Sequence, residues 1–367
     1  ADVVGNNEIT TLSKQFNRMI EELESYYNEL EQKVEERTRE IQQQKEEISA
    51  QRDAIEDQRN LLADKNESIE KAKALVQAEI NEAIEFLEWL ERDHFAFLGF
   101  VDLEINETKK AHSMLPVNGS ELGILKSHPE QIEAIDFKKL TTKIKKSILN
   151  SQLITFAKGP ARSTVHRPAY PDFVAIKRLN EKGEIVGEHC FYGLYTARAY
   201  TQSPNDIPIL RRKSEYVIEK SELNVNDYRG KELVQLLSVY PRDELFQIDK
   251  EMLFDNLMGT LFVQERRQSR LFMREDSFGR FVTCLVYVPR EIYNTAIRIK
   301  IQSILMNHFH GLDVEFNTFI SESVFARTQI TIKLNPEEKQ SFNIQELEEK
   351  IIAVTQSWED DLESSLF

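Results

Sequence analysis

From Tyr27 to Val76 an apolar residue returns at every seventh position: Tyr27, Val34, Ile41, Ile48, Ile55, Leu62, Ile69 and Val76. A repeat of this length, with neither glycine nor proline inside it, commits the chain to a long α-helix whose apolar seam must find a partner. The heptads KEEISAQ, RDAIEDQ, RNLLADK and NESIEKA, residues 45–72, are near-copies of one another. With the repeating apolar residues at a, the d positions hold Arg37, Gln44, Gln51, Gln58 and Lys65, so many of the usual knobs are absent. The seam is therefore weak, and its β-branched a residues favour a parallel dimer over higher oligomers, although leucine at d is missing. A lone charged surface helix is the alternative. Upstream, Ile9, Leu12, Phe16, Met19 and Leu23 recur at steps of three and four.

Charge excludes some roles. Asp and Glu number 62 against 47 Lys and Arg, a formal net charge of -15, which gives no electrostatic support to nucleic-acid binding. The local basic clusters, Lys138, Lys139, Lys143, Lys145 and Lys146, and Arg211 to Lys213, read as solvated faces. No run of 18 apolar residues occurs and no signal peptide precedes the first helix, so the expectation is a cytoplasmic chain without a membrane span. Cys190 and Cys284 stand far apart in apolar stretches, as buried thiols do in a reducing compartment.

The expected class is α+β, with domains at 1–76, 77–245 and 246–367. After an amphipathic helix from Ile80 to Asp93, strands are predicted in FAFLGFVDLEI, LITFA, DFVAIKRL and IVGEHCFYGLYTARAY, with a hairpin turn at Asn180 to Gly183. Helical spacing returns in DIPILRRKSEYVIEKS and RGKELVQLLSVY. Pro241 is expected at the first position of a further helix, with Asp243 and Glu244 complementing its dipole. The last region reads as a helix from Lys250 to Gln268, strands SRLFMRED and GRFVTCLVYVP around a turn at Asp276 to Gly279, and a helix opened after Pro289 and closed by Gly311. Strands LDVEFNTFISE and VFARTQITIKL and a final helix follow, giving a small antiparallel sheet covered by helices on one face.

The motifs of familiar catalytic chemistry are missing from the sequence. No two glycines are separated by a single residue, which removes the G-x-G-x-x-G pyrophosphate turn; no P-loop, G-x-S-x-G, H-E-x-x-H or C-x-x-C occurs. The close pair His308 and His310 diverges at i and i+2 on a helix, a poor metal site. What remains is ARSTVHRPAYPDF, residues 161–173. Pro168 and Pro171 stiffen this stretch into a loop or edge strand. Arg162, His166 and Arg167 could grip a carboxylate, or they could satisfy backbone carbonyls around a rigid loop. Ser163 has no evident base to activate it.

The strings FLEWLERDHFAFLGF, RSTVHRPAYPDFVAIKR, GLYTARAYTQSPNDIPILRRK, YPRDELFQ, QERRQSRLFMREDSFGRFVTCLVYVPREIYNT and ISESVFAR resemble the N-terminal regulatory region of the large bacterial NAD-specific glutamate dehydrogenases. The resemblance covers 80–367. It implies a PAS-like domain followed by an ACT-like, ferredoxin-like domain, with the closing strand of the latter supplied by SRLFMRE or lying beyond the end of the chain. It further implies that glutamate and NAD bind in a catalytic domain this chain does not contain, so no cofactor and no catalytic residue is assigned here. In NNEITTLSKQFNRMIEELE, Asn7, Glu8, Ile9, Leu12, Phe16, Asn17 and Met19 resemble the second half of a HAMP signal-relay module, where the family otherwise begins with another ACT-like module.

Together these imply a non-catalytic regulatory and oligomerisation region whose parent deaminates L-glutamate to 2-oxoglutarate. The implied partners are a second copy of the chain and an amino-acid effector. ACT modules bind such effectors at strand-to-helix loops, which puts Arg290 and Asn294 forward, with Arg162, His166, Arg167 and Tyr170 as the second candidate. A signal-relay protein with a PAS-like sensor, and a purely dimerising scaffold, stand as alternatives.

Overall fold

The computed structural model describes residues 5–108, 111–132, 135–136, 153–264, 268–276, 278–320, 323–335 and 343–355. It divides into two compact units, Ala1–Gln77 and Ala78–Phe367.

The first unit is helical. Helix α1 spans Gly5–Trp89, and every seam residue is open to solvent, from 51% at Ile69 to 66% at Tyr27 and Ile55. Ion pairs one turn apart, such as Lys33 with Glu29 at 2.8 Å and Lys71 with Glu67 at 2.7 Å, each add a few tenths of a kcal/mol to an exposed helix. The side chains of Asn7, Glu8 and Ile9, part of the HAMP-like stretch, lie outside the described residues.

In the second unit the expected helix at 80–93 is the end of α1, burying Phe86 and Trp89. Arg92 and Asp93 then leave helical geometry, Asp93 at φ 64°, and turn the chain into a strand. The first sheet comprises β1 (Phe95–Thr108), β2 (Ala111–Pro116), β3 (Leu122–Gly123), β4 (Ile135–Asp136), β5 (Ile154–Lys158), β6 (Asp172–Leu179) and β7 (Ile185–Tyr195). Its antiparallel order is β4-β2-β1-β7-β6-β5, with β3 on β1. A short helix α2 (Ile124–Ser127) follows β3. The β6–β7 hairpin turns as its sequence predicts: Gly183 sits at φ +78° and donates its N–H to the carbonyl of Asn180 at 2.9 Å.

Helices α3 (Ala197–Thr201), α4 (Leu210–Ser221), α5 (Tyr228–Val239), α6 (Arg242–Gln247) and α7 (Lys250–Gln264) come next. The strand predicted to run on to Tyr200 ends at Tyr195, because the Thr196 N–H bonds to the His94 carbonyl and the chain turns into α3. Pro241 is the residue before α6 rather than its first, and it accepts the Leu245 N–H. The expectation of a solvated face at Arg211 to Lys213 holds for Arg212, which is exposed, and fails for its two neighbours. Arg211 grips Glu82 at 2.6 Å and Arg212 donates to the Ala78 carbonyl. Lys213 is drawn inward because its ammonium supplies donors to the carbonyls of Leu245, Phe246 and Ile248, at 2.7 to 2.8 Å, where α6 ends. Burial and the Arg274 charge push that lysine down to about 7. The second cluster, Lys138 to Lys146, lies outside the described residues.

The second sheet contains β8 (Arg270–Glu275), β9 (Phe281–Pro289), β10 (Asp313–Ile320) and β11 (Phe325–Lys333), ordered β10-β11-β9-β8 and antiparallel throughout. SRLFMRE therefore occupies the edge position next to β9. Helix α8 (Thr295–Phe309) starts six residues after Pro289, because Asn294 provides the cap: its Oδ1 accepts the Ile297 N–H at 3.0 Å. Helix α9 (Ile344–Thr355) closes the described chain.

The sheet has two covered faces where one was expected. On one side Val282, Cys284, Val286, Ile330 and Ile332 pack with Ile301, Leu305 and Phe309 of α8 and Leu347 and Ile351 of α9. On the other, Phe272, Leu285, Tyr287 and Phe325 join Leu253, Leu257 and Leu261 of α7 in a core shared with Phe86, Phe156 and Phe246. Alternation along a strand exposes one residue set to each face, and β8, β9 and β11 carry apolar residues in both sets. Cys190 and Cys284 are buried and unpaired, and burial raises both thiols above their ordinary range. Among the described residues no helix is long and apolar enough to cross a membrane.

Candidate functional site

The stretch 159–171 is a closed loop between β5 and β6. Gly159 donates to the Pro171 carbonyl at 2.7 Å and Ser163 to that of Ala169 at 2.9 Å, which draws its two limbs together. The Ser163 hydroxyl donates to the Val165 carbonyl and accepts the Val165 N–H, a local turn.

The guanidinium offered by sequence to a carboxylate ligand already holds two carboxylates of the same chain. Arg162 donates to Asp313 at 2.8 Å and Glu315 at 2.7 Å, both on β10, and to the carbonyls of Val314 and Pro168. Tyr170, with its ring 4.9 Å from the Arg162 guanidinium, donates to Asp313 at 2.6 Å. The Arg162 hydrogen bond holds the Asp313 carboxyl below its usual range against the effect of burial, and burial raises the Tyr170 phenol. Lys333 adds a bond to the Pro160 carbonyl at 2.6 Å. The loop is thus a strap fastening the first sheet to the second.

The other candidates separate. His166 stands exposed at φ 67°. Arg167 reaches Tyr200 at 3.0 Å. Arg290 follows β9 and its N–H bonds to the Val324 carbonyl at 2.9 Å. Asn294 caps α8. Arg162 and Tyr170 meet at Asp313; no described hydrogen bond links them to Arg290 or Asn294.

From Arg167 a polar chain runs inward that sequence reasoning did not assemble. Tyr200 on α3 donates to Asp243 at 2.6 Å, Asp243 lies 3.8 Å from the Lys158 ammonium, and Lys158 donates to Asp172 at 3.0 Å. Gln247 donates to Asp172 at 3.4 Å and accepts from Arg274 at 2.9 Å, while Arg274 forms a buried pair with Glu244. Asp243 and Glu244 do occupy the first turn of α6, as their dipole role requires, but each is also a member of this network. One signal was present in the sequence: Lys158 and Lys177 interrupt apolar strands, and buried lysines need carboxylate partners. Lys177 finds Glu188 across the β6–β7 pair. Nothing local says which carboxylate lies opposite.

Two carboxylates here share one ammonium. Burial pushes the Asp172 carboxyl up to about 7, Lys158 opposes that, and the Asp243 charge adds to it. Lys158 is held protonated by Asp172 and Asp243 although its burial favours the neutral form. Between the ordinary value near 4 and about 7, the folded chain keeps a proton that the unfolded chain has released. Asp172 therefore contributes stability that is complete below pH ~4 and lost as pH rises to about 7. In urea titrations at pH 4.5 to 7.5 the unfolding free energy of Asp172→Asn is expected to fall less with pH than that of the unaltered chain. Equal slopes would show that Asp172 ionises normally.

Among the described residues no group of three or more His, Cys, Asp or Glu side chains is arranged to hold a metal ion. The arrangement makes buried ion pairs that link β5 and β6 of the first sheet to α6 and β8.

Residues 207–266 match the glutamate dehydrogenase helical motif 1 family, and residues 270–359 match the glutamate dehydrogenase ACT2 domain family. The first match runs across position 245, where the sequence suggested a change of domain. The chain is 40% identical over 301 residues to an NAD-specific glutamate dehydrogenase of Halomonas elongata, covering 80% of this chain and 19% of that protein. It is 39% identical over 295 residues to one from Pseudomonas aeruginosa, covering 80% and 18%. With that of Mycobacterium tuberculosis it shares 28% identity over 251 residues. The chain spans about a fifth of the length of the first two of these curated relatives.

Proposed function

From the premise that this chain carries an N-terminal region of the NAD-specific glutamate dehydrogenase family, we propose that it is a regulatory and assembly region and not the seat of glutamate oxidation. The observation carrying this reading is the pair of matches at 207–266 and 270–359, to a helical motif and an ACT2 domain. The strap and the inward network support it, since their charged groups are spent on one another. The PAS-like identity of the first sheet draws support from its antiparallel order, with the first strand β1 beside the last strand β7 at the centre. NAD belongs, in this reading, to a part of the relatives that the chain does not cover.

An amino-acid effector at the loop after β9, near Arg290 and Asn294, completes the proposal. The Arg162 to Tyr170 loop is the second candidate, weakened by the carboxylates Arg162 already holds. The purified chain is expected to give no NADH from glutamate and NAD, and to gain thermal stability with an amino acid, because a ligand bound only by the folded state raises its melting temperature. That gain should vanish in Asn294→Ala, whose cap loss alone lowers stability by about 1 kcal/mol in either condition. NADH formation would overturn the non-catalytic reading; no response to any of the twenty amino acids would remove the effector.

A signal-relay role for the HAMP-like stretch and coiled coil is the second reading. The polar d residues favour it, since a weak seam can hold two packings within a few kcal/mol. In that case ligand would shift the melting of the heptad region.

A further inference from the structure

We infer that the heptad face of α1 docks a second copy of the chain in parallel and in register, with the orientation chosen by the charges flanking the seam. This deepens the assembly half of the proposed function. A monomer would sink it and leave the regulatory half standing, whereas glutamate turnover would sink only the regulatory half.

The seam residues Val34, Ile41, Ile48, Ile55, Leu62 and Ile69 are each more than half exposed and lie on one heptad position of a single helix. An apolar row of that length does not stay in water when a copy of itself is available. The g positions 40 and 47 hold Glu40 and Glu47, and the e positions 45, 52, 59 and 73 hold Lys45, Arg52, Arg59 and Lys73. In a parallel pair each g residue faces the e residue five positions on in the partner helix, which sets Glu40 against Lys45 and Glu47 against Arg52, twice each by symmetry. The remaining g positions in 33–68, Lys33, Ala54, Leu61 and Ser68, meet Thr38, Arg59, Asn66 and Lys73, so no like charges face each other along the g–e flanks; at d, Arg37 and Lys65 each meet their own copy, which weakens the seam. In an antiparallel pair centred on the seam e faces e, opposing Lys45 to Arg59 and Arg52 to its own copy, and g faces g, setting Glu40 against Ser68 and Glu47 against Leu61, so the g–e ion pairs are lost.

The ion pairs within the helix agree. Lys33, Arg39, Lys71 and Lys73 are paired along their own helix, and Glu40 lies 3.7 Å from Arg37. Lys45, Glu47 and Arg52 make no described ion pair with their own helix, and they are three of the four residues the parallel arrangement bridges. The d row, Gln44, Gln51 and Gln58, offers amides that pair with their own copies when the register is kept.

Light scattering and sedimentation equilibrium on the full chain are expected to give twice the monomer mass of 42.8 kDa. Arg37→Cys and, separately, Lys65→Cys should each form an intermolecular disulfide under mild oxidation, because d positions of an in-register parallel pair meet across the seam within disulfide reach. The native Cys190 and Cys284 are buried, so the unaltered chain serves as the blank. In an antiparallel pair centred on the seam, residue 37 lies on the order of 40 Å from its copy, and neither disulfide forms. Glu40→Lys with Glu47→Lys should weaken dimerisation about tenfold, and adding Lys45→Glu with Arg52→Glu should restore it. A monomer at all concentrations, absence of both disulfides, or failure of the four-fold swap to restore affinity would each overturn the inference.

Discussion

Phe246→Ala is expected to remove about 3–5 kcal/mol from the unfolding free energy of the second unit. Phe246 is 2% exposed and stands at the centre of an aromatic cluster. Its ring lies parallel to that of Tyr195, within 7° and with centroids 4.6 Å apart, and it meets Phe156 at 5.3 Å, Phe86 at 5.7 Å and Trp89 at 6.0 Å. These partners come from β7, β5 and α1, so no single element can move to fill the hole. The cost should approach the upper end of the range for that reason, since cavity cost depends on how far the surroundings collapse. Leu312→Ala, at a site 60% exposed, should stay within about 0.5 kcal/mol. Urea denaturation of the full chain, followed by near-ultraviolet dichroism, reads both. A Phe246→Ala loss below about 1.5 kcal/mol would mean that the cluster repacks.

Arg274→Met should destabilise by a similar amount, about 3–5 kcal/mol, through charge rather than volume. Glu244 is 3% exposed and receives the Arg274 guanidinium at 2.9 Å, while the same nitrogen reaches Gln247 at 2.9 Å. Removing the arginine strands a carboxylate away from water. Replacing both residues, Arg274→Met with Glu244→Leu, removes the stranded charge and should recover most of the loss, because apolar groups of similar volume substitute well for a buried pair. If the double variant were no more stable than the single, the pair would be serving packing geometry that neither replacement reproduces.

The periodic elements were legible before any coordinates. DFVAIKRL is β6 residue for residue, the Asn180 to Gly183 turn closes the hairpin, and the Tyr27 to Val76 repeat is one uninterrupted helix. These depend on local stereochemistry, which neighbouring residues carry among themselves. Pro289 is a poor guide to the start of α8, because the Asn294 side chain caps that helix five residues later. The strap was half legible. Its residue types said that it would bind carboxylates, and it does, but those carboxylates belong to Asp313 and Glu315, about 150 positions away. The inward network was hidden for the same reason: Lys158, Asp172, Tyr200, Asp243 and Arg274 are brought together by sheet order and helix packing, on which no short window of sequence bears.

The second sheet shares its core with the helices and the first sheet, and this limits how such a region can be inherited. Phe272, Leu285, Tyr287 and Phe325 of the ACT2-matching stretch sit in one cluster with Phe156, Leu210, Leu233 and Leu257. A fragment cut at position 245 or 270 would carry half an apolar interface into water. Recombination that transplants this stretch between genes must therefore move it whole, from the end of α1 to α9, and the boundary tolerant of a graft is the exposed helix upstream, where a new leading sequence can be joined without opening any core.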